Sequence, residues 1–383
     1  MAQVAVIGAG QTPFLRRRDG STWRDWCRTA ADTALAMSGV DLRDIDTLVL
    51  GSETDLFTLQ LNPATLLASD LGLVAAAALR VEGGGASGAL AVQAGAARVL
   101  AGLSRHVLVV GVDAAASGQV PEVTRALYAR SFDALIEGAA GITATQLYAL
   151  SWQPFAAEQG LGEADLAAVT IAHRANAMAN PDAHLPRTHK VDEISTSPLI
   201  ASPYRRLHCS PLSDGAAAVV LSATARRGAP VIVGMGAATD RAQLGARDRP
   251  GHFAAKTAAM QQACAMAGVG PGEIGLVELY DPYAGAALQG LHALGLSSSV
   301  GRDLAGGRFG AGGAVPVNLS GGLLGQGAAP GATGVAQVGA CALMLEGRYH
   351  AGAQPASPPR HALADTHGGL CTTAAVTILR AAA

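Results

Sequence analysis

Two distant stretches of the sequence repeat one pattern, and a chain built this way must fold as two related halves. The first copy runs from Val4-Ala5-Val6-Ile7-Gly8 through a helical stretch to Ala36-Met37-Ser38-Gly39-Val40 and on to the apolar Ile45 to Val49. The second runs from Val231-Ile232-Val233-Gly234 to Ala265-Met266-Ala267-Gly268-Val269 and on to Ile274 to Val277, aligning without a gap from the helix end onward. Each copy therefore predicts a strand, a helix stopped by glycine and a second strand. Further on, Val81-Glu82-Gly83-Gly84-Gly85-Ala86-Ser87-Gly88 opens an Ala-rich helix reaching Leu103. Its counterpart Asn318-Leu319-Ser320-Gly321-Gly322 precedes a helix from about Gly331 to Glu346. The expected following strands are Val107 to Val112 and Ala374 to Leu379. Strands alternating with helices imply central sheets covered by helices.

These units place the halves at residues 1–227 and 228–383, with an insertion at about 114–202 that the second half lacks. Such an insertion shapes a substrate entrance or serves packing and oligomerisation.

Composition removes several classes of function. Half of the 383 residues are hydrophobic, so disorder is excluded. With 27 basic against 29 acidic residues, nothing marks a nucleic-acid partner, and Arg16-Arg17-Arg18 is too short a run to supply one. The uncharged stretch from Phe309 to Leu345 is broken by glycines and prolines and does not predict a membrane span. The N-terminus reads as a first strand rather than a secretion signal. Five scattered cysteines with no CxxC pair argue against a disulfide framework and a zinc site, and suit a reducing cytoplasmic compartment.

Gly8-Ala9-Gly10 follows the first strand, but position 13 is Pro13, so the dinucleotide fingerprint fails. The Gly83-Gly84-Gly85 elbow leads into a helix, where backbone N–H groups and the helix dipole can face an oxyanion. The glycines of Asn318 to Gly334 supply a related elbow in the other half.

With Val4 to Phe14, Cys209-Ser210-Pro211-Leu212-Ser213-Asp214-Gly215 and Leu279-Tyr280-Asp281, these segments resemble the thiolase superfamily, in its sterol-carrier-protein-type branch. The resemblance spans the whole chain and implies an α/β fold of two halves, each with a mixed five-stranded sheet. The layers would run α-β-α-β-α, commonly as a dimer.

The residues of thiolase chemistry are missing. Gly85 stands where the family has its nucleophilic cysteine, Tyr280 replaces the first histidine, Pro282 a further cysteine and Ala328 the second histidine. Cys371 is the best spare thiol, which keeps an acyltransferase reading open; Cys209, beside His208, reads as packing.

Loss of the cysteine to a glycine elbow, with tyrosine before Asp281, is similar to the thiolase-like acyl-CoA retro-aldolases of steroid side-chain degradation. In these a β-hydroxyacyl-CoA is split into a ketone and a short acyl-CoA. That chemistry needs a base and an oxyanion site but no nucleophile. The resemblance implies Tyr280 as the proton-transfer residue, with Asp281, Tyr283, His367 and Cys371 as further catalytic candidates. Gly83, Gly84, Gly85, Asn318, Gly321 and Gly322 would bind substrate. No cofactor is implied beyond coenzyme A as part of the substrate, and no metal. The aldolases work with a separate small protein containing an OB-fold and a zinc ribbon. They also carry a second tyrosine where this chain has Ala328, so either Tyr280 suffices, another group fills in, or the chain is a non-catalytic subunit binding acyl-CoA or a catalytic partner.

Overall fold

A computed structural model describes residues 3–382. The first half contributes β1 (Val4–Gln11), β2 (Thr47–Gly51), β3 (Ala77–Val81) and β4 (His106–Ala114). A two-stranded ribbon follows, β5 (Leu199–Ala201) with β6 (Tyr204–Arg205), and then β7 (Asp214–Ser222). The second half contributes β8 (Val231–Thr239), β9 (Leu276–Glu278), β10 (His361–Gly368) and β11 (Thr373–Arg380). The strand order β3-β2-β4-β7-β1-β8-β11-β10-β9 reads almost the same from either end. Of this large sheet the first half supplies five strands. The second holds four, with Val317 bridging to Val277 where the fifth belongs. Pairing of Val4 with Ile232 and Ala5 with Val231 joins the two sheets edge to edge into one nine-stranded array.

The helix stops fall where the repeat puts them. Gly39 closes the Trp23–Ser38 helix at φ 70° and Gly268 closes the Ala254–Ala267 helix at φ 68°, a left-handed conformation that glycine adopts without strain. The two central helices, Ser87–Leu100 and Pro330–Leu345, pack against each other and touch strands of both halves, forming the middle layer. Trp23–Ser38 covers β1, β4 and β7 from one side, and Ala254–Ala267 covers β8 and β11 from the other. The insertion folds mainly as helices, among them Pro121–Tyr128, Ala144–Gln159 and Glu163–Ala177.

One expected correspondence is corrected. The counterpart of β4, which lies parallel to β2, is β10, which lies parallel to β9. Ala374 to Leu379 belongs to β11, which is antiparallel to its neighbours and answers to β7. The true counterpart escapes a reading based on apolar runs because β10 carries the buried polar residues Asp365, Thr366 and His367.

The central helices approach so closely that β4 and both helices need glycine at the crossing. A Cβ on Gly111 would lie 2.2 Å from the Gly331 carbonyl oxygen, and one on Gly88 would lie 2.6 Å from it. Gly111→Ala is expected to lower stability by about 1–3 kcal/mol in urea titration, the usual cost of overpacking. Gly245→Ala, exposed and meeting nothing within 4 Å, should stay within about 0.5 kcal/mol of the parent.

Candidate active site

The glycine elbow after β3 and the Leu279-Tyr280-Asp281 segment after β9 meet at a cavity of about 290 Å³. The insertion closes it from the other side with Tyr128, Phe132, Leu147 and Tyr148. Tyr280, Tyr283, His367 and Gly85 all line this cavity. A Cβ on Gly85 would lie 2.1 Å from the Tyr280 Oη and 2.6 Å from the His367 carbonyl oxygen. The tyrosine ring thus occupies the space that a side chain at position 85 would need.

The three elbow glycines divide their work. Gly83 and Gly84 line a neighbouring cavity of about 340 Å³. Their amides are already engaged: Gly83 N–H donates to Ser87 Oγ (3.0 Å) and Gly84 N–H to Glu82 Oε1 (3.1 Å). Of the three elbow glycines, it is Gly85 that lines the reaction cavity.

Four expected site residues stand behind the wall rather than in it. Asp281 is fully buried, accepting from Leu323 N–H (2.7 Å) and pairing with His173 Nδ1 at 2.7 Å. Asn318 accepts from Leu279 N–H at 2.6 Å and brings its Nδ2 to 3.4 Å from His173. Gly321 and Gly322 turn the chain there at φ 104° and 56°, and a Cβ on Gly322 would strike Asn318 and both Asp281 carboxylate oxygens. Together these residues hold Leu323 and Ala328 in the cavity wall beside Tyr280. They brace this wall from behind, and the Gly-Gly pair makes a tight turn there.

Cys371 is also turned away, fully buried in the core with its thiol pushed up to about 12 by burial. Cys209 does reach the cavity, but burial pushes its thiol up to about 12 as well. Cys27 and Cys341 are driven well above the ordinary cysteine range, and Cys264 is raised, again by burial. None of the five is set up as a thiolate near neutral pH.

His367 is held neutral, because burial, helped by the charges of Lys256 and Arg247, drives its pKa well below the usual value. Tyr148 Oη lies 2.7 Å from both His367 Nε2 and the Gly369 carbonyl. Tyr148 has one proton, and if that goes to Gly369, the hydroxyl oxygen must accept from a protonated Nε2. Nδ1, which has no partner, is then a bare acceptor rather than an orphaned donor, the cheaper arrangement for a buried group. Tyr283 stacks on Tyr204 (ring centroids 5.3 Å apart) and lies tilted against Tyr148 (4.5 Å), and its hydroxyl meets Thr145 Oγ1 at 3.0 Å.

Behind Tyr280 lies a fully buried ion pair, Lys256 Nζ to Asp365 Oδ2 at 2.5 Å, and the same carboxylate oxygen accepts from the Tyr280 N–H at 3.3 Å. Burial, followed by the nearby carboxylates Glu53, Asp113 and Asp281, pushes the Tyr280 phenol well above the ordinary tyrosine range.

The pattern described as "Thiolase, N-terminal domain" matches residues 4–225, and the one described as "Thiolase C-terminal domain-like" matches residues 236–381. This chain belongs to the thiolase family. It is 34% identical to the acetyl-CoA acetyltransferase of Methanothermobacter thermautotrophicus over 99% of both chains. It is 26% identical to the 17-hydroxy-3-oxo-4-pregnene-20-carboxyl-CoA lyase of Mycobacterium tuberculosis, covering 88% of this chain and 90% of that one. Among solved structures it superposes on an Ltp2-ChsH2(DUF35) aldolase with a TM-score of 0.84 and 24% identity, covering 99% and 98% of the two chains. Among the described residues no helix is long and apolar enough to cross a membrane.

Sequence reasoning missed Glu53, Tyr128 and Tyr148 as cavity residues. A signal for the first was present. Glu53 and Asp113 follow or end two apolar runs that become the parallel neighbours β2 and β4, and side chains at such carboxyl ends commonly line sites in α/β sheets. The two tyrosines lie in the insertion, which has no second copy to compare with.

The contest for one volume between position 85 and Tyr280 is measurable. In this thiolase-family chain Gly85→Ala should lower the melting temperature, and Tyr280→Ala should lower it by leaving a cavity. Gly85→Ala/Tyr280→Ala should be more stable than the sum of the single losses by about 1 kcal/mol or more in a double-mutant cycle.

Proposed function

We propose that this chain is a cysteine-independent carbon–carbon lyase, cleaving a β-hydroxyacyl-CoA with a steroid or similarly bulky side chain to a ketone and a short acyl-CoA. The observation that carries the reading is the Tyr280 phenol standing in the space of a position-85 side chain. Covalent acyl transfer needs a thiolate there, and the 34% identity to an acetyltransferase cannot supply one to Gly85. The named lyase among the relatives supports the alternative chemistry. Aromatic and aliphatic side chains dominate the cavity wall and suit an apolar ring system.

The raised phenol fixes the direction of Tyr280's work. At neutral pH it is protonated, so it donates a proton and cannot take one from the substrate hydroxyl. Retro-aldol cleavage moves the O–H electron pair into a ketone C=O and the carbon–carbon pair into a thioester enolate. Tyr280 delivers the proton that enolate needs, and the Gly85 amide faces the thioester oxygen. Coenzyme A enters only as part of the substrate. The proposed setting is cytoplasmic lipid and steroid degradation. The proposed assembly is a homodimer with a separate OB-fold and zinc-ribbon protein, for which the solved aldolase complex is the support.

Ala328, small and set beside Tyr280 and Leu323, favours a second reading, a non-catalytic subunit that binds acyl-CoA or a catalytic partner.

The test is to co-express the chain with the OB-fold and zinc-ribbon protein and assay ketone and short acyl-CoA release from β-hydroxyacyl-CoA thioesters carrying steroid rings. Release is expected, with a loss of about 10²–10⁴-fold in Tyr280→Phe and little change in thioester affinity. Iodoacetamide at neutral pH should leave the rate intact. A stable complex that releases nothing across such a panel gives the chain to the non-catalytic reading. Inactivation by iodoacetamide that acyl-CoA prevents gives it to acyl transfer.

A further inference from the structure

A donor phenol leaves the retro-aldol reaction without a base, and the structure holds an unassigned carboxyl in the same cavity wall. Glu53, just beyond β2, lines the reaction cavity together with Gly85, Tyr128, Tyr280 and Pro330. It is held by two neighbours. Its backbone N–H donates to Asp113 Oδ1 and Oδ2 (3.3 and 3.2 Å), and its Oε2 accepts from Tyr128 Oη at 3.1 Å. Asp113 is itself fixed by Ser52 Oγ (3.0 Å) and by Gly331 N–H at the start of a central helix (2.6 Å). Glu53, Tyr128, Ser131 and Gly369 also line the neighbouring cavity, so the carboxyl stands in the partition between the two spaces.

Resting on the lyase reading above, we propose that Glu53 is the general base of this site, exchanging its proton with solvent through the second cavity. The Glu53 carboxylate takes the proton of the β-hydroxyl. The O–H pair becomes the ketone C=O, the Cα–Cβ bond breaks, and its pair enters the thioester as an enolate. Tyr280 protonates the enolate carbon and recovers its proton from Glu53, so both residues end as they began. The tyrosine missing at Ala328 is thereby replaced by a carboxyl from the other half of the chain.

The surroundings make Glu53 a stronger base than an ordinary carboxylate. Burial raises it first and the Asp113 charge second; the Tyr128 hydrogen bond opposes the rise and Glu82 adds to it. Asp113 is raised in turn, chiefly by burial, against hydrogen bonds from Gly331, Glu53 and Ser52 and the pull of Arg80. The pair titrates between about 7 and about 8. Of the cations nearby, Arg80 is engaged with Asp55 at 3.0 Å, while Arg125 and Arg130 line one cavity each. His367 is neutral and carries no charge to the site.

Two reactions, each run in wild type, Glu53→Gln and Tyr128→Phe with the partner protein present, test this. One is β-hydroxyacyl-CoA cleavage and the other is exchange of the α-hydrogens of propionyl-CoA with D₂O, each followed across pH 6–10. The wild-type kcat/KM is expected to rise as pH passes through about 7–8. Glu53→Gln should lose that limb and at least about 100-fold in rate, with KM held within twofold. Tyr128→Phe removes the bond that stabilises the carboxylate, so its limb should move to higher pH; it also serves if Glu53→Gln does not fold. Cleavage by Glu53→Gln at the wild-type rate with the same limb overturns the Glu53 role and leaves the lyase standing. So does Tyr128→Phe with an unmoved limb. Exchange that depends on Glu53 in a chain that cleaves nothing upholds the base and removes the retro-aldol substrate. Neither reaction in wild type removes both.

Discussion

Everything at this site depends on how closely two helices can cross. Residues that would separate Ser87–Leu100 from Pro330–Leu345 are reduced to glycine at the crossing, and the Gly331 carbonyl sits against Gly88 and Gly111 with no room for a methyl group. That contact brings the beginnings of both helices to the centre of the molecule. One begins at the Gly85 elbow, the other at the Gly331 amide that grips Asp113. The reaction cavity and the acidic pair are therefore two consequences of one packing restriction. Helix beginnings carry partial positive charge, which suits a thioester oxyanion at the first and a buried carboxylate at the second.

The chain concentrates buried charge around Tyr280. The Lys256–Asp365 pair lies behind its backbone, Asp281 and His173 brace the turn that follows, and Glu53 and Asp113 stand in the opposite half. Such groups are costly to desolvate, and each here has a partner that fixes its position. The result is a neutral Tyr280 phenol and a neutral His367 imidazole beside Glu53 and Asp113, whose carboxyls burial raises to about 8 and about 7. A wall made mostly of aromatic and aliphatic side chains keeps those differences large.

Much of the fold could be read from the sequence because the repeat, the glycine stops at Gly39 and Gly268, and the glycine elbow are local signals. The absence of a nucleophile at Gly85 was equally legible, since one residue decides it. What could not be read required knowing which strands lie side by side. Glu53 and Asp113 are sixty residues apart in sequence and meet only because β2 and β4 run parallel in register, Gly51 beside Gly111. Tyr128 and Tyr148 come from the unrepeated insertion. Asn318, Gly321 and Gly322 point in the other direction: a polar, glycine-rich turn near a site looks like a binding loop, and here the Asn318 side chain is turned inward to Leu279 and His173, while a Cβ on Gly322 would strike Asp281.

The shared volume at position 85 and Tyr280 also bears on how such a chain could change its chemistry over generations. A cysteine returning to position 85 would collide with the ring, while a small residue arriving first at position 280 would leave a hole beside a glycine. Either order crosses a less stable ancestor. A lineage that has once exchanged a thiol for this phenol is held there by packing, whatever its catalytic merits, and drifts back only where spare stability can absorb the intermediate step.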